Sequence, residues 1–419
     1  MKVLVVGGGG REHALVWKIR QSSMVKEVYC APGNGGISQQ AQCVDIPATD
    51  IGGITKFAVE NKIDLAVVAP DDPLALGAVD KLEEKGIRAF GPSKAAAAIE
   101  GSKVFAKDLM KKYGIPTAPY RVFDNFVDAR EYITTCCSFP VVIKADGLAL
   151  GKGVIIAKDK GEAVEALDNM MVKKIFNQAG QRVVIEQFIT GPEVSLLAFT
   201  DGETVLPMVT SQDHKRAYDN DEGPNTGGMG AFSPSPYYSD AVHERVMDEI
   251  VHPTIKAMKQ EGRPFKGVLY FGLMLTEEGP KVLEYNARFG DPEAQVVIPR
   301  LKNDLVDIFI KTIEGRLDEV ELEWDSRSAA CIVLASGGYP KAYQKGYEIS
   351  GLDDINHSDC MVFHAGTLYK DGKYYTNGGR VLGITALGES LKGAVEKAYE
   401  NVKRISFKDM HFRRDIGCK

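Results

Sequence analysis

Glu284 and Asn286 stand two residues apart where a run that reads as a β-strand, 281–285, comes to its end. Period two puts both side chains on one strand face. Two hard oxygen donors side by side suit Mg2+, which takes one or two protein oxygens and completes its shell with phosphate and water. Two polar residues on a solvated strand face are the plainer alternative. Arg288 and Asp291 follow at the strand end and add a cation and an acid. A phosphate site to match is offered by residues 141–157, VVIKADGLALGKGVIIA. Two Val/Ile-rich runs flank Gly147, Gly151 and Gly153, with Lys144 at one end of the loop and Lys152 near the other. Glycines let backbone N–H groups approach an anion closely, and lysines bring point charges. A flexible hairpin with two solvated lysines would have the same residues. It is not a Walker loop: Lys152 is followed by Gly153, not Ser or Thr, and a strand comes next. Further polar and glycine-rich residues, SQDHKR at 211–216 and NTGGMG at 225–230, fall in a long polar stretch, 211–236, that reads as a loop. Loops of that length inside a domain are usually functional or disordered, and the clustered charges favour function.

These groups need a scaffold, and the chain supplies one by alternation. Residues 2–6 read as a buried strand, 7–10 as a glycine turn and 12–20 as a helix, a combination that presents N–H groups to an anion. The dinucleotide fingerprint fails here. Position 12 is Glu12 where a third glycine is required, and the second strand ends at Pro32-Gly33-Asn34 without an acid for a ribose. A glycine turn needed only for close packing fits equally well. A helix over 54–60, a strand over 65–69, a helix over 74–85 and a strand over 88–90 follow. Strands alternating with helices predict a parallel sheet covered on both faces, with ligands at the strands' carboxyl ends. The glycine turn and Pro70-Asp71-Asp72-Pro73 both lie at such ends.

A helix over 103–113, capped by Ser102 and Gly114, opens the next part. A small α+β lid spans about 118–187. A strand pair over 191–207 turns at Asp201-Gly202, a long helix covers 240–259, and strands cover 265–275 and 281–285. A helix over 305–315 and a charged linker lead to a last α+β domain. The predicted architecture is α/β and α+β in several domains: an N-terminal parallel-sheet domain, 1–102; a core with its lid, 103–325; and a small C-terminal domain, 326–419.

Composition sets outer bounds. The chain has 419 residues, 44% hydrophobic and 26% charged, which fits a globular protein with a substantial core. A net charge of −6 argues against nucleic acid as a partner. No apolar run reaches the ~18 residues a bilayer span needs, and no secretory signal opens the chain. Seven cysteines without metal-type spacing fit a reducing cytoplasm. The residues alone therefore reach a multi-domain α/β enzyme using Mg–ATP, with a phosphorylated second substrate.

The motifs go further. They are GGGGREHAL at 7–15, APGNGG at 31–36, FGPS at 90–93, IKADGLALGKGV at 143–154, SQDHKR at 211–216, GPNTGGMGA at 223–231, EYNARFGDPE at 284–293, HAGT at 364–367 and NGGRVL at 377–382. In type and order they resemble the ATP-grasp superfamily, and within it the glycinamide ribonucleotide synthetases (phosphoribosylamine–glycine ligases) of purine synthesis. The resemblance implies an ATP-grasp core with a small lid, and a reaction joining glycine to 5-phosphoribosylamine through a glycyl phosphate. By resemblance, Lys144 and Lys103 meet the phosphates under the loop Gly151, Lys152 and Gly153. Glu186, Gln187, Phe188 and Ile189 line the adenine, and Glu193 the ribose. Glu284 and Asn286 hold Mg2+, or Mn2+ in its place. Arg288 stabilises the acyl phosphate and Asp291 binds a substrate amine, with Asp213, Lys215 and Arg216 bordering the pocket. Gly9, Gly10, Asp71 and Arg380 face the phosphoribosylamine. The expected partners are small molecules only, with neither nucleic acid nor membrane; the expected state is a cytoplasmic monomer in transient contact with the upstream purine enzyme. Two positions depart from the family's usual pattern: Gly8 stands where it has Asn, and Asp71 where it has Glu. A biotin-type carboxylase shares the core, but the first glycine turn and NGGRVL favour the amine ligase.

Overall fold

A computed structural model of the chain describes residues 1–148 and 153–418. Five short strands form the first sheet: β1 (Lys2–Gly7), β2 (Glu27–Pro32), β3 (Gln42–Cys43), β4 (Leu65–Val68) and β5 (Arg88–Phe90). They run parallel in the order β3-β2-β1-β4-β5. Alternate residues of β1 enter two cores: Leu4 and Val6 face one, Val3 and Val5 the other, all fully buried. The chain steps outward from β1 to β2 and β3, then returns to β4. The crevice at a doubly wound sheet's carboxyl edge opens at that reversal, between the glycine turn after β1 and Asp71 after β4.

The single helix predicted over 74–85 is two, Asp71–Leu76 and Ala78–Glu83. Gly77 between them has φ 89°, a left-handed conformation that ends one helical ladder and costs glycine no Cβ clash. The first helix starts at Asp71, with Pro70 at its N-cap and no side-chain cap, so neither Asp71 nor Asp72 serves as the cap.

The lid is antiparallel. Its strands are β6 (Tyr120–Phe123), β7 (Val141–Ala145), β8 (Val154–Ala157) and β9 (Val183–Gln187), in the order β6-β9-β7-β8. The predicted hairpin pairs Val141 with Ala157 through Lys144 with Val154. With helices Phe126–Cys136 and Lys160–Leu167 these strands enclose a core of their own, including Ile133, Ile143, Leu167 and Ile185. Residues 149–152 of the predicted phosphate loop, Gly151 and Lys152 among them, lie outside the described residues.

The remaining strands are β10 (Glu193–Thr200), β11 (Val205–Pro207), β12 (Gln212–Asp213), β13 (Arg216–Tyr218), β14 (Glu222–Asn225), β15 (Gly230–Ser233), β16 (Gly267–Thr276) and β17 (Gly279–Asn286). After them come β18 (Ser328–Ala335), β19 (Glu348–Ile349), β20 (Cys360–His364), β21 (Thr367–Lys370), β22 (Lys373–Thr376) and β23 (Arg380–Gly388). The sheet β11-β10-β16-β17 backs the cleft. The stretch 211–236, predicted as one long loop, holds β12 to β15 instead. β12 and β15 join β18, β23 and β20 in the last sheet, while β13 and β14 pair only with each other. β15 finds its partner about a hundred residues on, Gly230 opposite Ile332. Among the described residues no helix is long and apolar enough to cross a membrane.

Candidate active site

Two adjoining cavities of about 500 and 470 Å3 share Lys144, Glu186, Asp213, Lys215, Asn225 and Glu284 in their walls, so they make one cleft. It runs from the lid to the carboxyl edge of the first sheet.

The lid end is an apolar slot. Val142, Val154 and Ile156 of the lid face Met274 and Leu283 of the backing sheet. Gln187, Phe188, Ile189 and Glu193, expected at the nucleotide, line it where β9 leaves the lid. Arg216 opens on this end too, together with Asp213 and Lys215, and its Nη1 donates to Gly223 O at 2.8 Å.

Charge gathers in the middle. Glu186 is 3% exposed and lies 3.0 Å from the ammonium groups of both Lys144 and Lys107. Lys144 also donates to Leu283 O at 2.9 Å, and Lys103 donates to Gly147 O at 3.1 Å. Burial lowers the Lys107 ammonium to about 8 against the pull of Glu186. On β17 Glu284 lies 3.6 Å from Lys215, which is itself 3.5 Å from Glu193. Burial opposes the ionisation of Glu284, but Lys215, Lys144, Lys103 and Arg288 outweigh it and hold the carboxyl at about 2. Asp213 goes the other way: burial lifts it to about 7 despite Lys215, and the carboxylates Glu293, Glu193 and Glu284 add to the rise.

Glu284 and Asn286 thus present an ionised carboxylate and an amide oxygen from one strand face, a donor pair fit for a divalent cation. Among the described residues no group of three or more His, Cys, Asp or Glu could hold a metal by itself. Two protein oxygens suffice where phosphate and water complete the shell.

The sheet end is a chain of charge pairs. Arg288 Nη2 lies 2.9 Å from Glu100 Oε1 and donates to Asn286 Oδ1 at 3.3 Å. Glu100 Oε2 accepts the Ala287 N–H at 2.7 Å. Asp291 accepts from Gln295 at 2.7 Å and pairs with Arg380 at 3.2 Å. Burial raises the Asp291 carboxyl, but Arg380 and Arg11 prevail and lower it. Arg380 Nη1 also donates to Gly227 O at 2.6 Å and Asp291 O at 2.7 Å, so much of this guanidinium is engaged with the protein. Asp71 lines the same wall.

Gly9 and Gly10 stand behind Asp291. A Cβ on Gly9 would lie 2.8 Å from Glu12 Oε2 and 3.2 Å from Asp291 Oδ2, and one on Gly10 would lie 2.5 Å from Gln295 Nε2, so a side chain at either position would displace the ends of these side chains. Gly8 is held more strictly, because its Cβ would meet the backbone oxygen of Gly33 at 2.4 Å.

Sequence reasoning missed Arg11, Glu100, Lys107, Glu293 and Tyr339, all of which line the cleft. Arg11 is held by Glu12 Oε1 at 2.6 Å and by Phe289 O at 3.0 Å. Its place in the first glycine motif was the signal available. Glu100 lies in the last turn of a helix, Lys94–Gly101, and nothing local marks it out.

Comparison with known proteins agrees over the whole chain. Residues 1–100 match the N domain of the phosphoribosylglycinamide synthetase family, 101–294 its ATP-grasp (A) domain and 329–419 its C domain. A phosphoribosylamine–glycine ligase of Caldanaerobacter subterraneus is 52% identical, with 100% of each chain covered. One from Halalkalibacterium halodurans is also 52% identical, over 100% of this chain and 97% of its own. The crystal structure of a phosphoribosylamine–glycine ligase from Thermotoga maritima superposes with a TM-score of 0.85 at 36% identity, covering 99% of this chain and 100% of that one. The biotin carboxylase domain of a Hydrogenobacter thermophilus 2-oxoglutarate carboxylase, solved with MgADP and bicarbonate, shares the fold at a TM-score of 0.76 and 17% identity, over 98% and 91% of the two chains.

Proposed function

The chain belongs to the phosphoribosylglycinamide synthetase family, and from that premise we propose how its cleft joins glycine to 5-phosphoribosylamine. The enzyme is an ATP-grasp ligase of purine biosynthesis that uses ATP with Mg2+. One observation carries the assignment of roles: Lys144, Glu284, Asn286, Arg288 and Asp291 follow one another along a single cleft, from the apolar slot under the lid to the edge of the parallel sheet.

Adenine lies in the slot beside Glu186, Gln187, Phe188 and Ile189, with Glu193 at the ribose. Lys144 and Lys103 meet the phosphates, under the loop that includes Gly153. Glu284 and Asn286 hold the Mg2+, which when bound neutralises charge on the phosphates. A glycine carboxylate is a poor electrophile. Its oxygen takes the γ-phosphoryl group and ADP departs, leaving a glycyl phosphate whose phosphate is a good leaving group. Transfer of this kind is mostly positioning and charge neutralisation, the work of Arg288 and Lys215 here. Asp291, kept ionised by Arg380 and Arg11, binds the amine of a substrate. The phosphoribosylamine nitrogen attacks the acyl carbon, phosphate leaves, and the amine's proton passes to Asp213, whose carboxyl at about 7 suits a proton acceptor. Asp71, Arg380 and the glycine turn face the ribose and its phosphate, with Arg216 at the far border.

The working units are 1–102, 103–325 with the lid at 118–187, and 326–419. A cytoplasmic setting fits the seven free cysteines, and a passing contact with the upstream enzyme would suit an unstable amine. Phosphate release from ATP should require glycine and rise with phosphoribosylamine. Release that depends on bicarbonate and ignores glycine would overturn the assignment.

A further inference from the structure

Among the largest fully buried side chains is a charged one, Arg413, with a side-chain exposure of 0%. A buried cation is tolerated only when its charge and its donors are met. Arg413 meets them in two directions. Nε and Nη2 form a fork on Asp415, each at 2.7 Å, while Nη1 reaches Asp221 Oδ1 at 2.9 Å and Arg216 O at 3.2 Å. Asp221 and Arg216 belong to the β13–β14 hairpin, and both line the lid end of the cleft along with Asn225.

The hairpin needs outside support. It is a two-stranded sheet of three and four residues, and isolated pairs of that size are marginal at best. Its turn is strained besides: Asn220 and Asp221 are consecutive non-glycine residues with φ 60° and 56°. Such conformations persist where the surroundings fix them. The C-terminal segment does so residue by residue. His411 Nε2 bonds to Ala217 O at 2.7 Å, Arg414 N–H donates to Asp219 Oδ1 at 2.7 Å, and Asn220 N–H donates to Asp415 Oδ2 at 2.9 Å. The segment is itself anchored. The Tyr399 hydroxyl, on the helix Leu391–Val402, donates to Arg413 O at 2.9 Å, and His411 exchanges backbone hydrogen bonds with Ala335 of β18.

We propose that residues 411–415 form a clamp that positions the β13–β14 wall of the cleft, with Arg413 as its positioning residue, so that the C-terminal segment sets the affinity for the nucleotide. This rests on the reading that the lid-end cavity takes ATP. Lysine could replace the charge but not the fork, since one ammonium cannot reproduce the planar donors of a guanidinium.

Arg413→Lys in the full chain, titrated with Mg·ATP by calorimetry and assayed at steady state, tests the clamp. The dissociation constant and the KM for ATP should rise about tenfold, with the KM for phosphoribosylamine unchanged within about twofold. A lower melting temperature with unchanged ATP affinity would make Arg413 merely structural and overturn the proposal. Should Arg413→Lys fail to fold, Asp415→Asn keeps the side chain's size and removes its charge; it should shift ATP affinity the same way, and unaltered affinity there would equally refute the clamp. A wild-type chain that binds no ATP would instead bring down the nucleotide assignment.

Discussion

Lowering the pH from 7.5 to 5 should loosen the joint between the first sheet and the last, because two neutral histidines are buried in it. His13, on the helix after the glycine turn, is 2% exposed, and its Nδ1 accepts the His364 backbone N–H at 2.7 Å. The His364 ring is 6% exposed and lies 3.1 Å from Thr367 Oγ1. Asn34 ties the same joint to the glycine turn, donating to Gly8 O at 2.9 Å and to His364 O at 2.8 Å. Burial, with the His364 ring adding to it, depresses His13 to about 3, and burial depresses His364 to about 4, both from 6.5. The unfolded chain therefore takes up protons as pH falls through 6.5, while the folded chain does not until near 4. The stability from this joint is fully present above 6.5 and is lost progressively as pH falls toward the folded values. At pH 5, about 1.5 units below the unfolded value, the loss is about 2 kcal/mol for one histidine and up to about 4 for the pair. Urea unfolding at the two pH values measures it. Wild type should lose more stability than a His13→Gln/His364→Gln double variant by about 2–4 kcal/mol, with every other titrating group common to both. Equal losses in the two proteins would refute the argument.

Glu284→Gln should lower turnover far more than ATP affinity, since the metal matters most as charge moves in the transition state; normal turnover at saturating Mg2+ would remove Glu284 from the metal site. Asp71→Ala should raise the KM for phosphoribosylamine about tenfold and leave that for ATP nearly constant, whereas a change confined to melting temperature would take Asp71 out of the amine site. On the proposed role of Asp213 as proton acceptor, which needs its ionised form, kcat/KM should fall as pH drops through about 7, and Asp213→Asn should abolish that limb; a limb that survives at lower overall activity belongs to another group. Hydrogen exchange at Gly147 and Gly153 should slow on adding an ATP analogue with Mg2+, and unaltered exchange would count against a closing lid.

What the sequence disclosed of this site follows from range. Glu284 and Asn286 could be placed together because period two acts over two residues, and the lid hairpin because both of its strands are local and β-branched. The break at Gly77 was hidden because glycine permits a left-handed φ without demanding it. The strands in 211–236 were hidden because their composition is that of a loop and two of them pair in a sheet built largely from residues after 328. Glu100 and Arg11 act on residues 187 and 278 positions away, which no local pattern encodes.

The same long range explains how the cleft tolerates so much charge. Lys144 faces Glu186, Lys215 faces Glu284, Arg288 faces Glu100 and Arg380 faces Asp291. Each of these four cations is already held by a carboxylate from another segment, whereas Lys103 rests on the Gly147 carbonyl. An entering phosphate therefore exchanges one anionic partner for another instead of meeting bare buried charge, which would be far more costly to maintain. On the proposed assignment of roles, substrate affinity is set as much by these carboxylates as by the cations. A motif search selects the lysines and arginines, yet it is the acids facing them, brought in by folding, that decide how tightly those cations can be engaged.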